Sequence, residues 1–385
     1  MPLKSLGPFP TPGNYEKIVK KLQDKINKNN WLINFDTAVS DAYESGVIET
    51  ENIKNLTEFY NFLNYLVRWV PTEDETGTFV SRMIFTLYFV LGQKTVKPFQ
   101  SSLVPWNLSP LTELSQWLVD FAKELGSFLD TSQSLTNASL ETFYTAQGYN
   151  VDTFEKPEGG WKSFNEFFRR KFKNGTRPIT GPSNPAVIVN AGDSTFMGCW
   201  NIDEKSTITI KGLPWSIEQL LNDSNYKDYF SNGKFMHSIL SPCDYHRVHA
   251  PVSGKVLQAK VIPGLAYLDV IAQNSSDGKR RIIPIRNMVD GTPGYQFCQT
   301  RGLTIIDSPI GKVAVLTVGV SQVSSVILSV NEEDEVKKGD EISYFQFGGS
   351  DIVLVFENKS QVAVVAEEGK LYRMGELVAV AHYTP

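Results

Sequence analysis

The sequence is that of an α+β protein: a helical N-terminal domain followed by a β-rich domain of hairpins and folded-over sheets with a few helices. Up to about residue 155 the apolar residues recur at helical spacing. Beyond residue 178 they gather instead in short Val- and Ile-rich runs broken by Gly, Pro, Asn and Asp. A chain of 385 residues is also too long for one small core. The boundary is expected in the polar stretch EKPEGG, dividing residues 1–155 from residues 156–385.

Residues 14–29 place Tyr15, Ile18, Val19, Leu22 and Ile26 on one face of an amphipathic helix. Residues 51–70 repeat the pattern through Ile53, Leu56, Phe59, Tyr60, Leu63 and Leu66. Residues 79–91 are the most apolar helical stretch. They carry Arg82 and fall well short of the ~20 residues that cross a bilayer, so a buried core helix is expected there. Ser109 as N-cap with Pro110 in the first turn opens a further helix, which turns Leu114, Leu118, Phe121 and Leu125 inward. Ser163 and Glu166 read as a capping box opening residues 164–173. Strands are expected at 186–190, 206–212, 254–264, 303–307, 311–320, 324–330, 351–357 and 360–366, with one helix at 216–221.

Composition narrows the function. The net charge of −5 offers no general attraction to nucleic acid or to an anionic membrane surface. Three scattered cysteines make no disulfide framework, and the first residues lack the apolar core of a secretory signal. A reducing cytosol is the expected location.

Two segments concentrate side chains with chemical use. DYHRVH packs Asp244, His246, Arg247 and His249 into six positions, and FQFGGSD carries Ser350 and Asp351 into an expected strand. His246 and His249 lack a third His or a Cys pair at ligand spacing, so no metal site is expected. In an extended strand the two histidines face opposite sides, and one shared pocket would require a turn or bulge. Gly348-Gly349-Ser350 alone is an ordinary turn, and Ile352 excludes the GxSxG elbow. Its weight comes from a His/Asp cluster in the same domain, because a serine hydroxyl needs a base before it acts as a nucleophile.

Together, DYHRVHAPVSGKV and FGGSDIVLVFE resemble the phosphatidylserine decarboxylases, a family that converts an internal serine into a pyruvoyl group. FNEFFRRKFKNGTRPI, IKGLPWSIEQLL and GKVAVLTVGVSQVSSV fit family segments in the same order, and NAGDS (Asn190 to Ser194) stands at the family's Ala-Asp-Gly turn. The likeness covers about residues 160–385. It implies self-cleavage between Gly349 and Ser350, with Ser350 becoming the pyruvoyl cofactor and the two chains staying associated. It further implies that His249, oriented by Asp193, takes the serine proton, and that His246 returns a proton during decarboxylation.

The sequence departs from the family pattern at three places. Gly348 and Asp351 replace the Leu and Thr that usually flank the Gly-Ser pair, and Gln299-Thr300-Arg301 and Val318-Gly319-Val320 also differ. These changes imply a pocket unlike one for a phosphodiester head group, and the helical N-terminal region resembles that of soluble fungal members acting on free amino acids. The expected activity is that of a carboxy-lyase acting on a free, aromatic amino acid such as tryptophan, with phosphatidylserine as the alternative. Arg301 reads as a surface residue paired with an acid. His237 and His382 read as ordinary histidines, and Cys243 as a small buried residue.

Overall fold

The helical patterns condense into shorter helices than their apolar repeats suggest. The computed structural model describes residues 5–105, 110–210, 212–275, 277–285, 294–321 and 326–383. Lys17–Lys28 buries Ile18, Val19, Leu22 and Ile26, and Leu56–Leu66 starts at Asn55, whose side chain accepts from Glu58 N. Phe79–Leu91 is buried along most of its length. Its Arg82 is paired with Glu49 at 3.1 Å. Among the described residues no helix is long and apolar enough to cross a membrane.

One expected helix start is corrected, and a second holds with only part of its cap. The fifth helix runs Glu113–Leu129, because the extended residue Thr112 supplies the cap by accepting from Ser115 N; Ser109 lies outside the described residues. At Ser163 only half of the capping box forms: Ser163 accepts from Glu166 N, while the Glu166 carboxylate takes Lys162 N instead. That helix, Phe164–Phe168, stops early because the chain beyond it pairs elsewhere. Glu155 N bonds Lys171 O at 2.7 Å and Lys173 N bonds Thr153 O at 3.2 Å, so backbone bonds bridge the expected boundary.

The β-rich part is built on an eight-stranded antiparallel sheet in the order Glu335–Val336, Gly254–Ile262, Arg301–Ser308, Gly311–Val320, Gly349–Phe356, Lys234–Leu240, Ser194–Asn201, Leu371–Tyr372. A smaller sheet joins Val326–Leu328, Glu341–Phe345 and Arg247–His249. Side chains of Gly349–Phe356 alternate between two cores. Ile352, Leu354 and Phe356 join the large core shared with the N-terminal helices. Val353 and Val355 join a second core with Phe235, Phe297 and Trp215.

Arg301 is not at the surface. It is 3% exposed, and its guanidinium donates to the carbonyls of Leu220, Gln219 and Gln299 at 2.7–2.8 Å. Two of these belong to the short helix Ile217–Leu221, whose last carbonyls have no partner within the helix. Burial pushes the Arg301 pKa down to about 10.

Candidate active site

Ser350 stands at the start of the central strand, and its hydroxyl lies 3.0 Å from His246 Nδ1. The other ring nitrogen, Nε2, lies 3.1 Å from the Pro242 carbonyl. A carbonyl can only accept, so Nε2 carries the proton and Nδ1 keeps a lone pair towards the serine. The Phe168 ring stacks on the imidazole at 3.8 Å and holds its plane. Ser350 and His246 are both fully buried. The result is a buried hydroxyl hydrogen-bonded to an imidazole nitrogen, the arrangement that base activation of a serine requires.

Local bonds aim this histidine. Asp244 accepts from Ser241 N at 2.6 Å and closes a turn, and Arg170 grips the Cys243 carbonyl at 2.8 Å. Phe345 N bonds the His246 carbonyl at 2.9 Å, tying it to the strand that leads towards the serine. Between the two strands lie Gln346, Phe347 and Gly348, the last at φ +145°, where a side chain is disfavoured. Helical residues hold this crossing. Asn165 Oδ1 accepts from Phe347 N at 3.0 Å, and Gln346 Nε2 donates to Asp130 Oδ1 at 3.2 Å. The Phe347 ring meets Phe164 and Phe168 edge-on.

His249 and Asp193, expected to act together beside Ser350, are engaged elsewhere. His249 Nδ1 donates to the Gly339 carbonyl at 2.7 Å, so Nε2 accepts the Tyr245 phenol proton at 2.9 Å. Its lone pair is taken. Burial lowers the His249 pKa, which favours the neutral ring. Asp193 receives Arg177 through Nε at 3.0 Å and Nη2 at 2.5 Å, and Met374 N at 2.8 Å. The reason lies in strand geometry: three residues apart, the two histidines project to opposite faces. His246 meets Phe168 and Ser350, whereas His249 meets Tyr245.

The residue after the serine faces the other core. Asp351 is fully buried, and its Oδ2 accepts from Tyr295 OH at 2.6 Å and His237 Nε2 at 2.8 Å, with Gln296 Nε2 at 3.4 Å. His237, read as an ordinary histidine, therefore belongs to a polar cluster behind the serine. Tyr295 and Gln296 carried no signal in the sequence, and Asp351 was visible only as a departure. Burial pushes the Cys243 thiol up to about 12, as suits a thiol that stays protonated. Among the described residues no group of three or more His, Cys, Asp or Glu is placed to hold a metal ion.

A cavity of about 770 Å³, within the size range of small-molecule pockets, is walled in part by Ser241, Pro242 and Cys243, just ahead of His246 in the chain. Phe85, Ile239, Pro242, Ile271 and Ile283 make its wall largely apolar. Pro242 also holds His246 through its carbonyl, and Ile239 is the register partner of Asp351. Neither Ser350 nor His246 lines the cavity; Pro242 is its link to the histidine.

Comparison with known proteins adds a finding to this geometry. The phosphatidylserine decarboxylase family profile matches residues 164–380, more than half of the chain. Phosphatidylserine decarboxylase proenzyme 3 of Schizosaccharomyces pombe is 35% identical over 54% of this chain and 20% of its own length. Phosphatidylserine decarboxylase proenzyme 2 of Oryza sativa subsp. japonica is 36% identical over 54% of this chain and 31% of its own length. The chain therefore spans less than a third of these two relatives. The phosphatidylserine decarboxylase proenzyme of Clostridium novyi is 31% identical over 71% of this chain and 86% of its own length.

Proposed function

Because this chain belongs to the phosphatidylserine decarboxylase family, we propose that it is a self-processing decarboxylase that makes its pyruvoyl group from Ser350 and acts on phosphatidylserine, releasing CO2 and phosphatidylethanolamine. The observation that carries the reading is the 3.0 Å contact between Ser350 Oγ and a ring nitrogen whose lone pair faces it, directly after two glycines.

His246 Nδ1 takes the hydroxyl proton as Oγ adds to the Gly349 carbonyl carbon. The C–N bond between residues 349 and 350 breaks, the nitrogen takes up the proton, and an ester remains. Loss of the Ser350 α-proton then expels the Gly349 carboxylate, which ends the long chain. The dehydroalanine left behind takes up water and releases ammonia, leaving the keto group. Nucleophile and carbonyl sit in one chain, so attack is effectively unimolecular, and a positioned base adds typically ~10²–10⁴-fold. Once formed, the pyruvoyl group supplies an electron sink for the pair left as CO2 departs. His246 remains beside that position and can return a proton.

The substrate assignment follows the names of the relatives rather than the free amino acid expected from the sequence. Two residues that pointed to the free amino acid have structural partners: Arg301 holds the Ile217–Leu221 helix, and Gln299 braces Tyr267 through its backbone N and O. The apolar wall of the cavity also suits acyl chains better than a free zwitterion. Intact-mass analysis under denaturing conditions should find one chain ending at Gly349 and one beginning, blocked, at position 350. Ser350→Ala should stay a single chain and be inactive. Vesicles containing phosphatidylserine should yield CO2, and free tryptophan should not. A fully active uncut protein would overturn the processing, and turnover of the amino acid alone would move the substrate.

A further inference from the structure

We propose that Asp351, gripped by His237, Tyr295 and Gln296, is the anchor that keeps the newly made chain end seated in the sheet after cleavage. On this view the cluster positions the decarboxylation and not the cut. The inference rests on the self-processing reading above. Before cleavage, position 350 is held by covalent bonds on both sides. Afterwards it is the first residue of a chain, and chain ends fray unless something ties them down. The crossing through Gln346 and Phe347, which the helical part holds, stays with the other chain. Register with Gly319 and Leu240 remains, but a terminal ladder position is where strands open first.

What ties the new end is its second side chain. Asp351 Oδ2 meets three partners from two other elements, the neighbouring strand Lys234–Leu240 and the Tyr295–Phe297 turn. All four side chains are buried, so the carboxylate cannot withdraw without leaving charge or donors unpaired. Asp351 Oδ1, His237 Nδ1 and Gln296 Oε1 find no partner among the described residues. The linkage therefore runs through one oxygen. A role in the cut is disfavoured by the pleat: Ser350 and Asp351 project to opposite faces, and the carboxylate faces away from the hydroxyl.

The test uses full-length chains carrying Asp351→Asn or Tyr295→Phe, each also in the uncut Ser350→Ala background, with hydrogen–deuterium exchange read on the peptide covering residues 350–356. Asp351→Asn should be cut to the wild-type extent. Exchange in that peptide should rise tenfold or more in the cut protein and less than twofold in the uncut background. On phosphatidylserine vesicles kcat should fall tenfold or more with KM changed less than twofold. Tyr295→Phe should show the same pattern at smaller amplitude, which keeps the test open if Asp351→Asn does not fold. Equal acceleration in both backgrounds, no acceleration, or a block of the cut itself overturns the anchor while the processing reading stands. A wild type that is never cut overturns both.

Discussion

The helical and β-rich parts bury their polar groups in different company. In the helical part, charge meets charge or closes a helix end. Arg82 pairs with Glu49, and Glu73 accepts from Phe79 N at the start of Phe79–Leu91 and from Tyr149 OH at 2.9 Å. The β-rich part also pairs charges, as in Arg177–Asp193 and Arg247–Glu341, but adds groups of the same kinds that meet carbonyls and hydroxyls. Arg301 faces three carbonyls, and His246 faces one carbonyl and one hydroxyl. The first arrangement ties charged groups into a scaffold; the second turns a ring lone pair towards the Ser350 hydroxyl. Yet the helical part is no bystander, since Asp130, together with Asn165 of the Phe164–Phe168 helix just past the expected boundary, holds the crossing just before Gly349. On the proposed reading, one part carries the reacting atoms and the other sets where they sit.

The largest effect should come from breaking the β-rich side. His246→Gln should slow self-cleavage by about a hundredfold or more, the scale of a lost general base, in a gel time course of newly made protein. His249→Gln should be cut within tenfold of the wild-type rate. If the outcomes exchange, with His249→Gln stalled and His246→Gln cut, the roles are those implied by the family resemblance.

A smaller effect should follow at the helices that hold the crossing. Asn165→Ala removes the acceptor of Phe347 N without touching the reacting atoms, and cleavage should slow about tenfold, or roughly 1.4 kcal/mol of barrier. Cleavage at the wild-type rate would show that these helices do not place the crossing.

Glu73→Gln should leave cleavage unchanged and alter only the pH dependence of stability. Burial pushes the Glu73 pKa from 4.5 up to about 7. Between those values the folded chain keeps a proton that the unfolded chain has lost, so stability falls as pH rises and levels off above 7. The fall attributable to this group is about 3 kcal/mol. Urea denaturation at pH 4.5 and pH 7.5 should show that fall in the wild type and a flatter difference in Glu73→Gln.

Much of this was legible in advance. The inward faces of Lys17–Lys28 and Leu56–Leu66 follow their apolar spacing, and the strands Gly311–Val320 and Gly349–Phe356 follow their Val-rich runs. Helix ends were less legible, because Thr112 and the 153–155 pairing with 171–173 compete with better-looking local caps. Arg301 was misread because a charged side chain among polar neighbours gives no sign of three carbonyls waiting inside. Asp351 stood out, but its partners lie far away along the chain.

Local pattern was sufficient for the α+β layout and for Ser350, His246 and His249 as candidates, while Asp193 came from the family resemblance alone. Periodicity, glycine placement and residue type are properties of neighbours along the chain, and each leaves its mark within a few positions. The choice of His246 over His249 at the serine belongs to packing. Both histidines sit in one six-residue segment, and either face of Arg247–His249 could have met the central strand. The Glu341–Phe345 pairing and the Asp244 turn settled which face did, across 104 residues of sequence. A contact that distant is fixed by the shape of the whole core, and no short stretch of chain encodes it.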